Sequence, residues 1–233
     1  MAIACVAAAR AAPCVDLALV LAVDGSGSIS DSEFEFQKSA IATAIRADEV
    51  RHALQGAGIV MLSAVFWGDG EFSTQQLSWH MVVGGRNIEA FAREIETTPR
   101  HVFGNTDIGS GLWTALDMIE NVGACADRMI INISGDGKET IAPKRRQTAS
   151  LSVARERATR MGVTVNALTV SDEVPDLADY YARSVITGAG SFVMDVRELG
   201  DFTTAIRRKL AREITSGMVA DIRHHVDIVS ATR

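Results

Sequence analysis

Residues 24–28, Asp-Gly-Ser-Gly-Ser, place one carboxylate and two hydroxyls at every second position. Asp24, Ser26 and Ser28 converge on one point if the chain turns there, and Gly25 and Gly27 permit the turn. A carboxylate with hydroxyls is an all-oxygen donor set, suited to a hard divalent cation that keeps part of its water, Mg2+ or Mn2+. One carboxylate compensates a dication poorly, so a second is expected from another loop. Asp136 supplies it, following the apolar run that ends in Ile-Asn-Ile-Ser-Gly-Asp (131–136) as Asp24 follows its own. Thr106, in Phe-Gly-Asn-Thr-Asp (103–107), adds a third hydroxyl just ahead of a helix start.

Other chemistries fit these residues less well. Residues 25–30, Gly-Ser-Gly-Ser-Ile-Ser, approach the dinucleotide fingerprint, but Ser30 stands where the third glycine belongs, and no Gly-Lys-Ser/Thr follows to make a phosphate loop. A metal-dependent hydrolase would need a base or nucleophile beside the cation. His101, Asp107 and Glu139 are the candidates, and none forms a recognisable pair. In a metal-free structural module the serines would merely cap a helix. Ser30 already fills that role, with Glu33 completing a capping box, and the module reading leaves Asp24, Thr106 and Asp136 unexplained.

The elements that must position these groups follow from hydrophobic patterning. Runs at 16–23, 59–67, 128–134, 163–170 and 191–196 are short, apolar and rich in Val and Ile, as in strands buried on both faces. Helical patterns lie between them, from Asp31, at Asn87–Glu96, Ile108–Glu120, Thr148–Met161, Pro175–Val185 and Leu199–Ile214. Residues 73–83 follow the turn-like Gly-Asp-Gly-Glu (68–71) and read as an antiparallel edge strand. The expectation is an α/β fold: a doubly wound, mostly parallel six-stranded sheet with one antiparallel edge strand and helices on both faces. Such sheets bind ligands beyond the carboxyl ends of their strands, where Asp24 and Asp136 fall.

Composition narrows the partners. At 233 residues with 47% hydrophobic and 22% charged side chains, the chain suits one soluble globular domain. A net charge of −6 argues against nucleic acid, whose binding depends on clustered Lys and Arg. No apolar run reaches the roughly 20 residues of a membrane span. Residues 1–13, Ala-rich and apolar, have the character of a shortened secretory leader without a basic start, 14–216 form the domain, and 217–233 are a tail whose His224 and His225 lack a third ligand. The basic stretch 207–213 reads as a solvated helix face backed by a core stripe of Ile206, Leu210 and Ile214, and 144–150 as a loop and helix entry. Trp67, Trp79 and Trp113 read as core or edge packing.

Asp24-x-Ser26-x-Ser28, Thr106 and Asp136, in this order and each at a strand end or loop, resemble the metal-ion-dependent adhesion site of von Willebrand factor A-type domains, and the order of elements is similar over about residues 15–216. The resemblance implies a Mg2+ (or Mn2+) ion held by Ser26 and Ser28, partly through water by Thr106, Asp24 and Asp136, and completed by an Asp or Glu carboxylate of a partner protein. Adhesion or assembly is the function implied, not catalysis. Residues 14–22, 180–193 and 201–214 are similar to a bacterial exported subfamily without assigned function. In the implied fold the strands carrying Cys14 and Cys125 are neighbours, and the cysteines precede Asp24 and Asp136 by similar distances, so a Cys14–Cys125 disulfide at the opposite sheet edge is expected. That bond and the leader-like start point to the periplasm or to secretion, and to the cytoplasm if residues 1–13 are an N-terminal arm rather than a leader.

Overall fold

The computed structural model describes residues 14–140 and 148–216. The leader-like residues 1–13 with Cys5, residues 144–147 of the basic loop and the tail 217–233 lie outside the described residues. The strands are β1 (Cys14–Asp24), β2 (Ile59–Trp67), β3 (Gln75–Gln76), β4 (His80–Val83), β5 (Cys125–Gly135), β6 (Thr164–Val170) and β7 (Val193–Val196). The helices are α1 (Asp31–Arg46), α2 (Asp48–Gly56), α3 (Ile88–Thr97), α4 (Ile108–Glu120), α5 (Leu151–Met161), α6 (Leu177–Ser184) and α7 (Phe202–Thr215).

These strands form one sheet in the order β3-β2-β1-β5-β6-β7, with β4 also on β2. The pairs β1–β2, β1–β5, β5–β6 and β6–β7 are parallel, and β3 and β4 are antiparallel to β2. Alternation along β1 divides the core. Leu17, Leu19, Leu21 and Val23 face a cluster with α1, α2, α3 and α7, whereas Ala18, Val20 and Ala22 face one with α4, α5 and α6.

Three local expectations change. The antiparallel edge is two short strands, which makes seven where one continuous edge strand would make six. In a regular strand Leu77 and Trp79 would point to the same side; here Leu77 packs on one core cluster and Trp79 on the other, and the pairing breaks between them. Helix α2 has no counterpart in the sequence reading. It is only nine residues long, has no side-chain cap, and carries a narrow buried stripe of Val50, Ala53 and Leu54. Along and beside the basic stretch 207–213, Ile206, Leu210 and Ile214 are core residues as expected, but Lys209 and Glu213 are fully buried as well. They pair with each other, and Asn132 and Asn166 donate to Glu213 at 2.8 and 3.0 Å. Burial lowers the Lys209 ammonium to about 8. An interior charge pair of this kind persists because each partner satisfies the other. Trp67 is core, and Trp79 and Trp113 are partly buried against it.

At the amino ends of β1 and β5, Cys14 and Cys125 are register partners, with Cα atoms 4.5 Å apart, and form a disulfide. From there to Val23–Ser134 the paired residues keep the same offset. One bond therefore ties the starts of the two strands whose ends carry Asp24 and Asp136. Removing this cross-link, by reduction or by Cys14→Ser with Cys125→Ser, lowers unfolding stability by about 2–5 kcal/mol, as read by urea denaturation. In the denatured, unreduced full chain only the Cys5 thiol reacts; three reactive thiols would show that the bond does not form.

Candidate metal centre

The ends of β1 and β5 set the floor of the site. Asp24, the last residue of β1, is completely buried, and its Oδ1 accepts the Ser26 backbone N–H at 2.8 Å. Its Oδ2 is buried with no hydrogen-bond partner among the described residues. Beside it, Gly135 ends β5: a Cβ there would lie 2.4 Å from the Tyr181 hydroxyl and 3.0 Å from Asp24 Oδ2, so only glycine leaves room. Burial, and secondarily the neighbouring Asp136 charge, push the Asp24 carboxyl up to about 8. Burial also raises the Asp136 carboxyl, against the hydrogen bond from Ser28.

All five expected residues meet here. Ser26 Oγ lies 3.3 Å from both Ser28 Oγ and Thr106 Oγ1. Ser28 Oγ donates to Asp136 Oδ1 at 2.8 Å. Ser26 and Thr106 are buried, whereas Ser28 is exposed and Asp136 half-buried, so the cluster opens to solvent on the Ser28 and Asp136 side.

Do these residues fit a cation? Oxygens 3.3 Å apart are wide for O–H···O bonds, which centre near 2.7–2.8 Å. They are closer to the edge of about 3 Å that an octahedron with metal–oxygen bonds of about 2.1 Å requires. Leaving a buried carboxylate oxygen unpaired is costly unless a positive group meets it. Among the described residues no group of three or more His, Cys, Asp or Glu could hold a metal, so a cation here would depend on hydroxyl donors. That donor set fits Mg2+ or Mn2+ better than a soft metal.

Two side chains that the sequence reading passed over shape the loops. Arg100, almost buried, donates through Nη2 to the carbonyls of Gly25, Ser26 and Ile29 at 3.0, 3.0 and 2.9 Å, and through Nη1 to Asp31. One guanidinium thus holds the Asp24–Ser28 turn from behind. Asp69, in the segment read as a simple turn, is buried. Its Oδ2 accepts the Asn105 backbone and side-chain N–H groups at 3.2 and 2.8 Å. Gly104, at φ 81°, passes so close that a Cβ would meet Asp69 Cβ at 2.7 Å. Gly27 N–H donates to Gly104 O at 2.6 Å, and Thr140 N–H to Thr106 O at 2.9 Å, which pins the Thr106 loop between the other two. The remote placement of Arg100 and Asp69 in sequence hides both roles; the only local cue is the Gly-Asp-Gly and Gly-Asn pattern around them.

Of the hydrolytic candidates, the Asp107 and Glu139 carboxylates accept hydrogen bonds from the start of α4. Asp107 is the N-cap of α4, accepting Ser110 N–H and Oγ–H at 3.1 and 2.9 Å. Glu139 accepts Gly109 N–H at 3.1 Å. His101 is exposed and donates its backbone N–H to Gln75. The expected capping box of Ser30 and Glu33 at the start of α1 is present.

Asp24 makes the metal-free protein pH-sensitive. Its folded value, about 8, lies above the ordinary 3.8, so the folded chain holds a proton there that the unfolded chain releases. The associated stability is complete below about pH 4 and is lost as pH rises through about 8. Asp24→Asn removes this dependence, and in chelator it is more stable than the wild type at pH 8 by about 1–3 kcal/mol. Urea unfolding of both proteins across this pH range checks it; parallel curves would show that the Asp24 carboxyl carries no such cost.

Relatives agree with this architecture. Residues 14–218 match the model of a family described as "Protein of unknown function (DUF1194)". No curated protein is significantly similar in sequence. Among solved structures, the pilus adhesin SpaC from Lactobacillus rhamnosus GG, in its open conformation, superposes with a TM-score of 0.63 at 14% identity over 86% of this chain and 30% of its own. A von Willebrand factor type A protein from Catenulispora acidiphila gives 0.59 at 15% identity, over 86% of this chain and 43% of its own. Proximal thread matrix protein 1 from the mussel byssus, with a zinc-occupied MIDAS motif, gives 0.55 at 17% identity, over 88% of this chain and 48% of its own. The chain thus spans less than half the length of each of these three. It belongs to the DUF1194 family, and its α/β fold is that of a von Willebrand factor A-type domain.

Proposed function

We propose that this protein is a binding module that captures a partner protein through a divalent cation held by Asp24, Ser26, Ser28, Thr106 and Asp136. The observation that carries this reading is the fully buried Asp24 carboxyl, whose Oδ2 has no hydrogen-bond partner among the described residues and whose Oδ1 accepts the N–H of Ser26, the residue whose hydroxyl lies 3.3 Å from those of Ser28 and Thr106. Asp24 and Asp136 supply negative charge, the hydroxyls supply neutral oxygens, and Arg100 and Asp69 keep the loops that bear them in place. A bound Mg2+ or Mn2+ would offer a Lewis-acidic point for an incoming Asp or Glu carboxylate on the open Ser28 and Asp136 side. Binding rather than turnover suits the site, because the Asp107 and Glu139 carboxylates already accept hydrogen bonds from the start of α4 and no acid–base pair is formed among His101, Asp107 and Glu139 by the contacts of the described residues. The adhesin among the structural neighbours and the zinc-occupied motif of the mussel protein support the same use of this fold.

The Cys14–Cys125 bond favours an oxidising compartment, the periplasm or the cell exterior, for an adhesive or assembly role. No helix among the described residues is long and apolar enough to cross a membrane. The net charge of −6 disfavours nucleic acid as the partner.

Titration calorimetry of Mg2+ and Mn2+ into chelator-stripped protein, with acetate present as a simple carboxylate, tests the reading. The wild type binds both ions, Asp24→Ala binds neither, and Ser26→Ala binds at least about tenfold more weakly, the equivalent of 1.4 kcal/mol. A wild type that binds neither ion, or an Asp24→Ala variant that binds as well as the wild type, would leave a metal-free structural module as the better description.

A further inference from the structure

The surface around the metal centre has two unlike flanks. Because the sheet order is β2-β1-β5-β6, the loop after β2 lies to one side of the Asp24–Ser28 turn and the loop after β6 to the other. On the β2 side Phe72 and Phe103 remain 44% and 41% exposed, with ring centroids 6.0 Å apart in an edge-to-face pair. This pair is built in. The Arg100 guanidinium lies 4.8 Å from the Phe103 ring centre, and Phe103 O accepts Asp69 N–H at 2.8 Å. Phe72 rests so near Gly104 that a Cβ there would lie 3.2 Å from its ring. Both rings are thus fixed on the backbone that carries Thr106.

The β6 side is acidic. Asp172 and Glu173 are exposed and form no ion pair with any described residue. With Glu33, Ser28 and Asp136 they line a cleft of about 30 Å³ that opens beside the metal centre. An acidic flank next to a site meant for a carboxylate would repel a purely acidic ligand, unless the ligand carries a positive charge on that side. Rigid exposed aromatic rings, conversely, are suited to anchor an apolar side chain at low entropic cost.

We infer that the partner segment is extended and carries three groups in a row: a Lys or Arg over Asp172 and Glu173, the cation-binding carboxylate in the middle, and an aromatic or large aliphatic side chain against Phe72 and Phe103. This rests on the metal-dependent reading above. Spacing supports it. Strands β2 to β6 span three interstrand steps of about 4.8 Å, roughly 14 Å, which an extended segment of about five residues covers at about 3.3 Å per residue. The basic and apolar groups then fall about two positions either side of the carboxylate, on the same face of the extended segment as it.

The test uses a random linear peptide library displayed on phage, panned on the full chain in Mg2+ and eluted with EDTA. Eluted sequences are enriched for Asp or Glu flanked by Lys or Arg on one side and by Phe, Tyr, Trp or Leu on the other. Selection on Phe72→Ala with Phe103→Ala loses the apolar preference alone, and on Asp172→Asn with Glu173→Gln the basic preference alone. A selected peptide binds the double phenylalanine variant about tenfold more weakly, while Mg2+ titrates into that variant as into the wild type, which shows that its fold and centre are intact. An EDTA-eluted pool with an acidic residue but no flanking preferences, or one unchanged by the phenylalanine substitutions, overturns the inference and leaves the metal-dependent reading standing. Peptides that EDTA does not release overturn that reading and this inference with it.

Discussion

The organisation of this protein turns on one carboxylate. Asp24 ends the central strand β1, buried, with one oxygen held by Ser26 N–H and the other without a hydrogen-bond partner among the described residues. A charge in that position is poorly solvated and lies near a second acid, Asp136, so the metal-free fold tolerates it only with a raised protonation range. Gly135 at the end of β5 and the buried Tyr181 bound the space beside its free oxygen, where a Cβ on Gly135 would lie 3.0 Å from Asp24 Oδ2 and 2.4 Å from the Tyr181 hydroxyl. The metal-free fold thus carries a desolvation cost at a single carboxyl.

The rest of the carboxyl edge of the sheet immobilises the loops around that atom. Arg100 binds three carbonyls of the first loop, and Asp69 binds the loop that carries Thr106. Backbone bonds from Gly27 to Gly104 and from Thr140 to Thr106 link the loops to one another. Hydroxyls belonging to residues 80 positions apart are brought within 3.3 Å by this scaffold. Preorganisation of that kind lowers the cost of ordering donors when a ligand arrives.

At the other end of the same two strands the Cys14–Cys125 bond fixes their starts, and α7 lies across the sheet over a buried polar network of Lys209, Glu213, Asn132 and Asn166. Apolar residues of equal size could fill that space at similar stability. What the polar network adds is direction: Lys209 pairs with Glu213 along α7 itself, but Asn132 of β5 and Asn166 of β6 reach Glu213 only where α7 lies against both strands. The sheet is consequently held at both ends by specific interactions and in between by apolar packing.

Periodicity was enough to establish much of this from the chain alone. Apolar runs of strand length separated by helical patterns fall where β1, β2, β5, β6 and β7 lie. The alternate oxygens of Asp24, Ser26 and Ser28, with Thr106 and Asp136 at other loop positions, are legible as one cluster in the chain, because residue type and spacing are local properties. The near-equal offsets of Cys14 and Cys125, once the fold was supposed, implied their pairing. Other features depend on contacts between distant segments and were not legible. Arg100 reads as an ordinary surface cation until three carbonyls are seen around it, and Asp69 as a turn residue until the Thr106 loop is laid against it. Lys209 is on a basic stretch that looks solvated, and its burial is tolerable because it pairs with the equally buried Glu213, to which Asn132 and Asn166 of the sheet also donate. Phe72 and Phe103 lie 31 positions apart in the chain, and their ring pair exists because the folded sheet brings the two loops together. Patterning along the chain specifies which groups could do chemistry and most of the strands and helices, though not the short α2 or the break between β3 and β4; which distant side chains hold those groups in place follows only from the tertiary structure, because it depends on packing across the sheet rather than on neighbours in the chain.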